Sequence, residues 1–197
     1  MSREIEFELS DLQRINLVGT SGCGKTTLGR KLAEILEAPH IEMDAFYHGP
    51  NWSTVDPDVF LERVTNAIAP PKWILDGNYH DRTHAIKWAR ATMVVWLDMP
   101  FLTNMFRAVS RAVNRAWTQE EFWPGSGNRE SFRKSFFSTD SIILWTAKTY
   151  QRRRRDYLKF VGNPPGVRFI QLSGPKEVEE FLAQVERVVG DSGGDKG

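Results

Sequence analysis

Short apolar runs alternate with longer segments of helical period along this chain. Five runs predict β-strands: Arg14–Val18, Pro39–Met43, Trp73–Leu75, Thr92–Leu97 and Val167–Leu172. The run Thr92–Leu97 is apolar without interruption, which is typical of a parallel strand covered on both faces. Helical segments separate the runs, so the pattern predicts an α/β chain in which helices cover both faces of a five-stranded parallel sheet.

Capping and breaking residues indicate where the helices begin and end. Asp56-Pro57 supplies an N-cap and a proline at the first helical position, and Pro70-Pro71 ends that helix near Ala69. We expect further helices after Pro100 and at Leu28–Leu36, Thr83–Arg90, Asp140–Val161 and Pro175–Val189. Residues 117–137 mix glycine, proline, charge and aromatics, which predicts a mobile insertion within one domain of residues 1–190. The tail, residues 191–197, should be disordered.

The most specific chemical signal is the stretch Gly19–Thr27, which reads Gly-Thr-Ser-Gly-Cys-Gly-Lys-Thr-Thr. It fits the pattern G-x-x-x-x-G-K-[ST], in which backbone amides cradle phosphates, and a predicted strand and helix flank it as the pattern requires. Lys25 would reach the β- and γ-phosphates, and the Thr26 hydroxyl would hold Mg²⁺. The predicted donor site comprises Gly19, Gly22, Cys23, Gly24, Lys25, Thr26 and Thr27.

The composition narrows the cellular setting and the class of ligand. One cysteine argues against a disulfide framework, and no apolar run approaches the roughly 20 residues that a membrane span needs. The acidic N-terminus lacks a signal core, so we expect a cytoplasmic protein. The net charge is only +1, but residues 102–160 carry 12 basic and five acidic side chains, which suggests a localised anionic ligand.

Arginines recur on one side of the helix that follows Pro100. Arg107, Arg111 and Arg115 are spaced by four residues, so one helix face carries three cations. Residues 152–155 are four consecutive arginines, and at most two can face one site because they span about 300° of a helix. A solvated charged stripe is the alternative for any one of these arginines.

These features together resemble the small P-loop kinases of the adenylate-kinase-like group. The resemblance rests on the phosphate loop, a strand that ends at Asp44, the turn Asp76–Tyr79 and the segment Trp96–Pro100, and it covers about residues 14–189. Within the group the chain is most similar to DNA topology modulation proteins. The resemblance implies a three-layer P-loop NTPase fold with a small arginine-rich LID insertion, ATP and Mg²⁺ as cofactors, and transfer of the γ-phosphoryl group.

The resemblance also implies roles for residues at matching positions. Arg107 and Arg111 stand nine and thirteen residues after Asp98, a spacing that implies contact with adenine for Arg107 and with the transferring phosphates for Arg111. Among residues 152–155 we favour Arg153 for the site. We interpret Asp98 as structural.

The acceptor side departs from the adenylate kinases. The segment Asp76–His80 lacks their proline and arginine, which weakens the case for AMP as acceptor. Asp44 stands where kinases of small metabolites handle the acceptor hydroxyl or the metal, although a capping or loop role remains open. Asp76 or Asp44 would fix the waters of Mg²⁺. The predicted catalytic residues are Lys25, Asp44, Arg111 and Arg153, and the predicted metal residues are Thr26 and Asp76.

The sequence therefore predicts a monomeric ATP-dependent kinase that acts on a nucleotide or another small acceptor. Two alternatives stay open: a nucleotide-dependent protein that binds DNA, and an ATPase without an acceptor. The DNA-binding alternative has the lower weight because no helix-turn-helix or zinc finger is evident.

Overall fold

The computed structural model describes residues 6–118, 121, 127–128, 142–161 and 166–193. Its centre is a five-stranded sheet in the order β2-β3-β1-β4-β5, with every neighbouring pair parallel. This confirms the predicted α/β class and the five-stranded parallel sheet. The strands are β1 (Arg14–Gly19), β2 (His40–Glu42), β3 (Trp73–Asp76), β4 (Met93–Leu97) and β5 (Arg168–Leu172).

Seven α-helices lie within the described residues, together with 3₁₀ turns at Leu9–Leu12 and Pro50–Trp52. The helices are α1 (Lys25–Leu36), α2 (Met43–Tyr47), α3 (Pro57–Ala67), α4 (His80–Arg90), α5 (Phe101–Thr118), α6 (Ile142–Val161) and α7 (Pro175–Gly193). The cap predicted for α3 is present, because the Asp56 carboxylate accepts a hydrogen bond from the Asp58 amide at 2.9 Å.

The helix boundaries differ from the sequence prediction at three places. The short helix α2 contains Asp44, where we expected the end of a strand, and α4 begins at His80 rather than Thr83. The last helix continues to Gly193, which is three residues into the tail predicted to be disordered. The predicted insertion, residues 117–137, falls mostly outside the described residues, and its first two residues complete α5.

The core consists of apolar layers on the two faces of the sheet. Alternate residues of β1 and β4 point to opposite faces. One layer packs α1 and α7 against the sheet through Leu28, Leu32, Phe181 and Val185, among others. On the other face Trp88 of α4 and Tyr157 of α6 pack against β4, and α3 covers β2 and β3. The result is the predicted three-layer arrangement.

This architecture brings the candidate polar residues to one edge of the sheet. Gly19 and Asp76 end β1 and β3, Asp98 follows β4, and Asp44 follows β2. Ligands of open α/β sheets bind at this edge, outside the carboxyl ends of the strands. Within the described residues, none of the helices combines the length and apolar character needed to cross a membrane.

Candidate active site at the phosphate loop

The phosphate loop runs from Gly19 at the end of β1 to Gly24, which precedes α1. Gly22 and Gly24 have φ angles of +85° and +102°, in the left-handed region that glycine adopts without strain. A Cβ atom at Gly22 would lie 2.7 Å from the carbonyl oxygen of Asn104 on α5. The glycine at this position therefore provides the loop conformation and lets α5 approach the loop closely.

Lys25 and Thr26 begin α1 and contact the loop and β3. The Lys25 ammonium donates to the carbonyl oxygens of Gly19 and Thr20, each at 3.2 Å. The Thr26 hydroxyl donates to Oδ2 of Asp76 at 2.6 Å. Burial raises the pKa of the Asp76 carboxyl, while the Lys25 charge and the Thr26 hydrogen bond oppose that rise. The two residues predicted to serve Mg²⁺ are thus in direct contact.

The other two loop positions of the predicted donor site differ in exposure. Cys23 is buried, and burial raises the pKa of its thiol. A protonated thiol is a poor nucleophile, so the Cys23 side chain fills space beneath the loop. Thr27 is exposed in the first turn of α1.

Two arginines of α5 reach the phosphate loop. Nη1 of Arg107 donates to the Cys23 carbonyl oxygen at 3.5 Å, and Nη2 of Arg111 donates to the Ser21 hydroxyl at 3.1 Å. Both cations therefore stand over the loop that would carry phosphates. The structure brings together the residues that the family spacing associated with the donor nucleotide.

Two neighbouring arginines of α6, Arg153 and Arg154, lie in different environments. Nε of Arg154 donates to both carboxylate oxygens of Asp98, at 3.0 and 3.1 Å, and Asp98 also accepts from Gln171. This ion pair agrees with a structural role for Asp98. Arg153 lies close enough to Tyr79 and Tyr157 for its charge to lower the pKa of both phenols, against the larger effect of burial.

Asp44, the residue predicted to handle the acceptor, lies in α2 just after β2. It is exposed, and its Oδ1 accepts a hydrogen bond of 2.7 Å from the Tyr79 hydroxyl. Tyr79 adopts a left-handed conformation with φ of +33°, and burial together with Asp44 raises its pKa, so the phenol stays a donor. The rings of Tyr79, Tyr47 and Phe60 pack with centroid separations of 5.0 to 5.5 Å. Asp44 therefore projects from an aromatic cluster into solvent.

Asn128, one of the described residues of the predicted insertion, contacts the loop that follows α2. Its Oδ1 accepts from the Trp52 amide at 2.6 Å, and its Nδ2 donates to the Gly49 carbonyl oxygen at 3.0 Å. The Asn128 side chain is buried. Asn128 thus connects the predicted insertion to the segment that follows α2.

The turn after β3 holds a polar network that the sequence did not indicate. The Asn78 amide bonds to the backbone of Gly19, and the Tyr157 hydroxyl donates to Asn78. The Lys87 ammonium, fully buried, donates to the carbonyl oxygens of Gly77 and Asn78. In the sequence, only two weak signals point to this network: Asn78 is polar and stands beside a predicted strand end, and Lys87 lies within a short predicted helix.

Comparison with known proteins adds a likeness to solved structures. No family model matches the chain, and a search of curated proteins finds no match. The crystal structure of shikimate kinase from Bacteroides thetaiotaomicron matches with a TM-score of 0.54 and 14% sequence identity, over 90% of this chain and 98% of that one. It gives no support to the narrower resemblance to DNA topology modulation proteins. At this identity the likeness shows the fold alone: the chain has a fold similar to that of this shikimate kinase.

Proposed function

We propose that the protein is a kinase that transfers the γ-phosphoryl group of ATP to a hydroxyl group of a small molecule. The observation that carries the proposal is the 2.6 Å hydrogen bond between Thr26 and Asp76 at the end of the phosphate loop. This pair joins the loop that binds phosphate to an acidic residue of the neighbouring strand. A glycine-rich loop with a packing role alone would not need a buried carboxylate beside its threonine.

The donor set fits Mg²⁺ bound together with a nucleotide. Hydroxyl and carboxylate oxygens are the hard ligands that Mg²⁺ takes, usually one or two from protein and the rest from phosphates and water. Among the described residues no cluster of three or more His, Cys, Asp or Glu side chains could hold a metal, which is compatible with such a partial protein site. Thr26 and Asp76 would hold the ion, which would supply positive charge to offset the charge of the phosphates.

The cations around the loop would bind and orient the phosphates. Lys25 now donates to two carbonyl oxygens of the loop, contacts that phosphate oxygens would replace. Arg107 and Arg111 already reach the loop from α5. Phosphoryl transfer depends on this positioning and on neutralising charge, because little covalent chemistry falls to the protein.

The acceptor hydroxyl would face Asp44. Tyr79 donates to Oδ1 of Asp44, and within the described residues no hydrogen bond reaches Oδ2. Oδ2 of Asp44 would take the proton of the acceptor hydroxyl while the hydroxyl oxygen attacks the γ-phosphorus. Arg153, beside Tyr79, would face the transferring group. Tyr79, which donates to Asp44, packs against Tyr47 and Phe60, and this aromatic cluster favours an acceptor with an apolar face.

The experiment uses radiolabelled ATP with Mg²⁺ and a panel of hydroxyl compounds, including sugars, cyclitols and nucleosides. We expect transfer to at least one acceptor, and we expect Asp44→Asn to lower its rate by roughly 10²–10⁴-fold with ATP affinity unchanged. Lys25→Ala should lose ATP affinity. Asp58→Asn, an exposed aspartate in the first turn of α3, is the matched control and should transfer normally.

Three outcomes would count against the proposal. An Asp44→Asn protein with full transfer rate would remove Asp44 from the reaction. Phosphate release that no acceptor increases would indicate an ATPase. Binding of duplex DNA that weakens steeply with salt, without transfer to any small molecule, would favour the DNA-binding alternative.

A further inference from the structure

The side chain of Asn78 forms two hydrogen bonds with one residue of the phosphate loop. The Gly19 amide donates to Oδ1 of Asn78 at 3.0 Å, and Nδ2 of Asn78 donates to the Gly19 carbonyl oxygen at 2.8 Å. An asparagine amide offers a donor and an acceptor side by side. Aspartate lacks the donor and serine is too short, so this contact is specific to the residue type.

The contact extends the sheet beyond the end of its backbone ladder. The register between β1 and β3 ends with Leu17 opposite Asp76, and the Gly77 amide donates to the Leu17 carbonyl oxygen at 3.2 Å. Two residues further along both strands, Gly19 would stand opposite Asn78. There the Asn78 side chain pairs with Gly19 in place of backbone.

This pairing fixes the first peptide group of the phosphate loop. The peptide between Gly19 and Thr20 is planar and trans, so its carbonyl oxygen and the Thr20 amide point in opposite directions. Holding the Gly19 oxygen therefore sets the direction of the Thr20 amide. Gly19 has φ of +145°, a region in which glycine reorients freely, and the flexible Lys25 side chain also donates to its oxygen, at the longer distance of 3.2 Å.

A third residue connects the same asparagine to the helix that carries Arg153. The Tyr157 hydroxyl donates to Oδ1 of Asn78 at 2.8 Å. Tyr157 is buried and packs on Trp96 with a centroid separation of 5.4 Å, and burial keeps its phenol protonated by raising its pKa. Arg153 stands one helical turn before Tyr157, on the same side of α6.

We propose that Asn78 is a positioning residue that joins α6 to the phosphate loop through the contacts Tyr157–Asn78–Gly19. Its role is to hold the loop in the form that accepts ATP and to keep Arg153 in register with that loop. The proposal rests on the nucleotide-binding part of the proposed function and extends it to two residues that would not touch the nucleotide. Lys87, which donates to the Gly77 and Asn78 carbonyl oxygens, supports the same turn from α4.

The first test measures ATP affinity by calorimetry. We expect Asn78→Ala and Asn78→Asp to weaken binding by about ten-fold or more. Asn78→Ala leaves the Gly19 amide without its side-chain acceptor, and Asn78→Asp sets a carboxylate oxygen against the Gly19 carbonyl oxygen. Tyr157→Phe should weaken it by about three-fold, and the double variant of Asn78→Ala with Tyr157→Phe should be no weaker than Asn78→Ala alone, because the two act through one contact. The matched control is Tyr150→Phe, since Tyr150 on α6 donates at 3.0 Å to the Met99 carbonyl oxygen instead.

The second test needs no nucleotide. Hydrogen exchange of the Gly19 amide, followed by NMR in the free protein, should speed up by about ten-fold in Asn78→Ala and stay unchanged in Tyr150→Phe. Should the wild-type protein fail to bind ATP, the proposed function fails while this readout still decides the role of Asn78. Unchanged affinity and unchanged Gly19 exchange in both Asn78 variants would overturn the proposal. Equal losses of affinity in Tyr157→Phe and Tyr150→Phe would overturn the link to α6.

Discussion

The contribution of Lys87 to the free energy of unfolding can be calculated from the structure. Its side chain is fully buried, and the ammonium donates only to the backbone oxygens of Gly77 and Asn78 among the described residues. Burial, with a further contribution from the Arg153 charge, lowers the pKa of Lys87 to about 7. The perturbation that we consider is Lys87→Met, which keeps the length of the side chain and removes its charge.

The expected effect depends on pH in a defined direction. The pKa of Lys87 falls from 10.5 in the unfolded chain to about 7 in the folded protein. Between these values the unfolded chain binds a proton that the folded protein has released, so the contribution of Lys87 to the free energy of unfolding rises with pH. The full difference is roughly 5 kcal/mol. This is an upper bound, because the two carbonyl oxygens favour the charged form.

The assay is urea unfolding of the wild-type protein and Lys87→Met at several pH values from 6 to 10.5. The stability of the wild-type protein minus that of the variant should be nearly constant below pH 7 and should increase by about 2–5 kcal/mol by pH 10.5. Lys31→Met, at an exposed position of α1, should show no such increase. A wild-type minus Lys87→Met difference that stays level across the range would refute the reasoning.

Three further predictions concern the loop and its supports. Thr26→Val should weaken ATP binding by about 10–100-fold in calorimetry with Mg²⁺, and an equal loss without Mg²⁺ would contradict the metal role. Gly22→Ala should lower the free energy of unfolding in urea by at least about 2 kcal/mol, because its Cβ would meet the Asn104 carbonyl oxygen at 2.7 Å; a stable variant would show that α5 can move. Arg154→Met should cost about 1–2 kcal/mol in thermal unfolding, because it leaves the buried Asp98 carboxylate without its cation, and an unchanged melting temperature would contradict this.

The position of the phosphate loop could be predicted because the residues that form it are contiguous in the sequence. The phosphate loop needs glycine at positions of positive φ, a lysine and a threonine, and a strand and helix beside it. All of these lie within one short stretch, from β1 to α1. The resemblance to adenylate kinases picked out Arg107 and Arg111 by their distance from Asp98, and helical spacing puts both on one face of α5.

The resemblance favoured Arg153 among the arginines of α6, and the tertiary structure supplies the partner of its neighbour Arg154. Helical spacing shows that residues 152–155 face different directions, but it does not show which direction is inward. The structure pairs Arg154 with Asp98 and puts Arg153 beside Tyr79. Asp98, which follows β4 and lies far from α6 along the chain, is the partner that distinguishes Arg154 from its neighbours.

The sequence by itself determined the α/β class, the parallel sheet, the phosphate loop and the residues that its chemistry requires. These features depend on local periodicity and on a contiguous motif, so they can be predicted without knowledge of the tertiary packing. Only the tertiary structure decided that Thr26 bonds to Asp76, that Tyr79 supports Asp44, and that Asn78 pairs with Gly19. Each of these contacts joins the ends of different strands or the segments that follow them. The order of the strands brings those ends together, and the order follows from packing the whole chain.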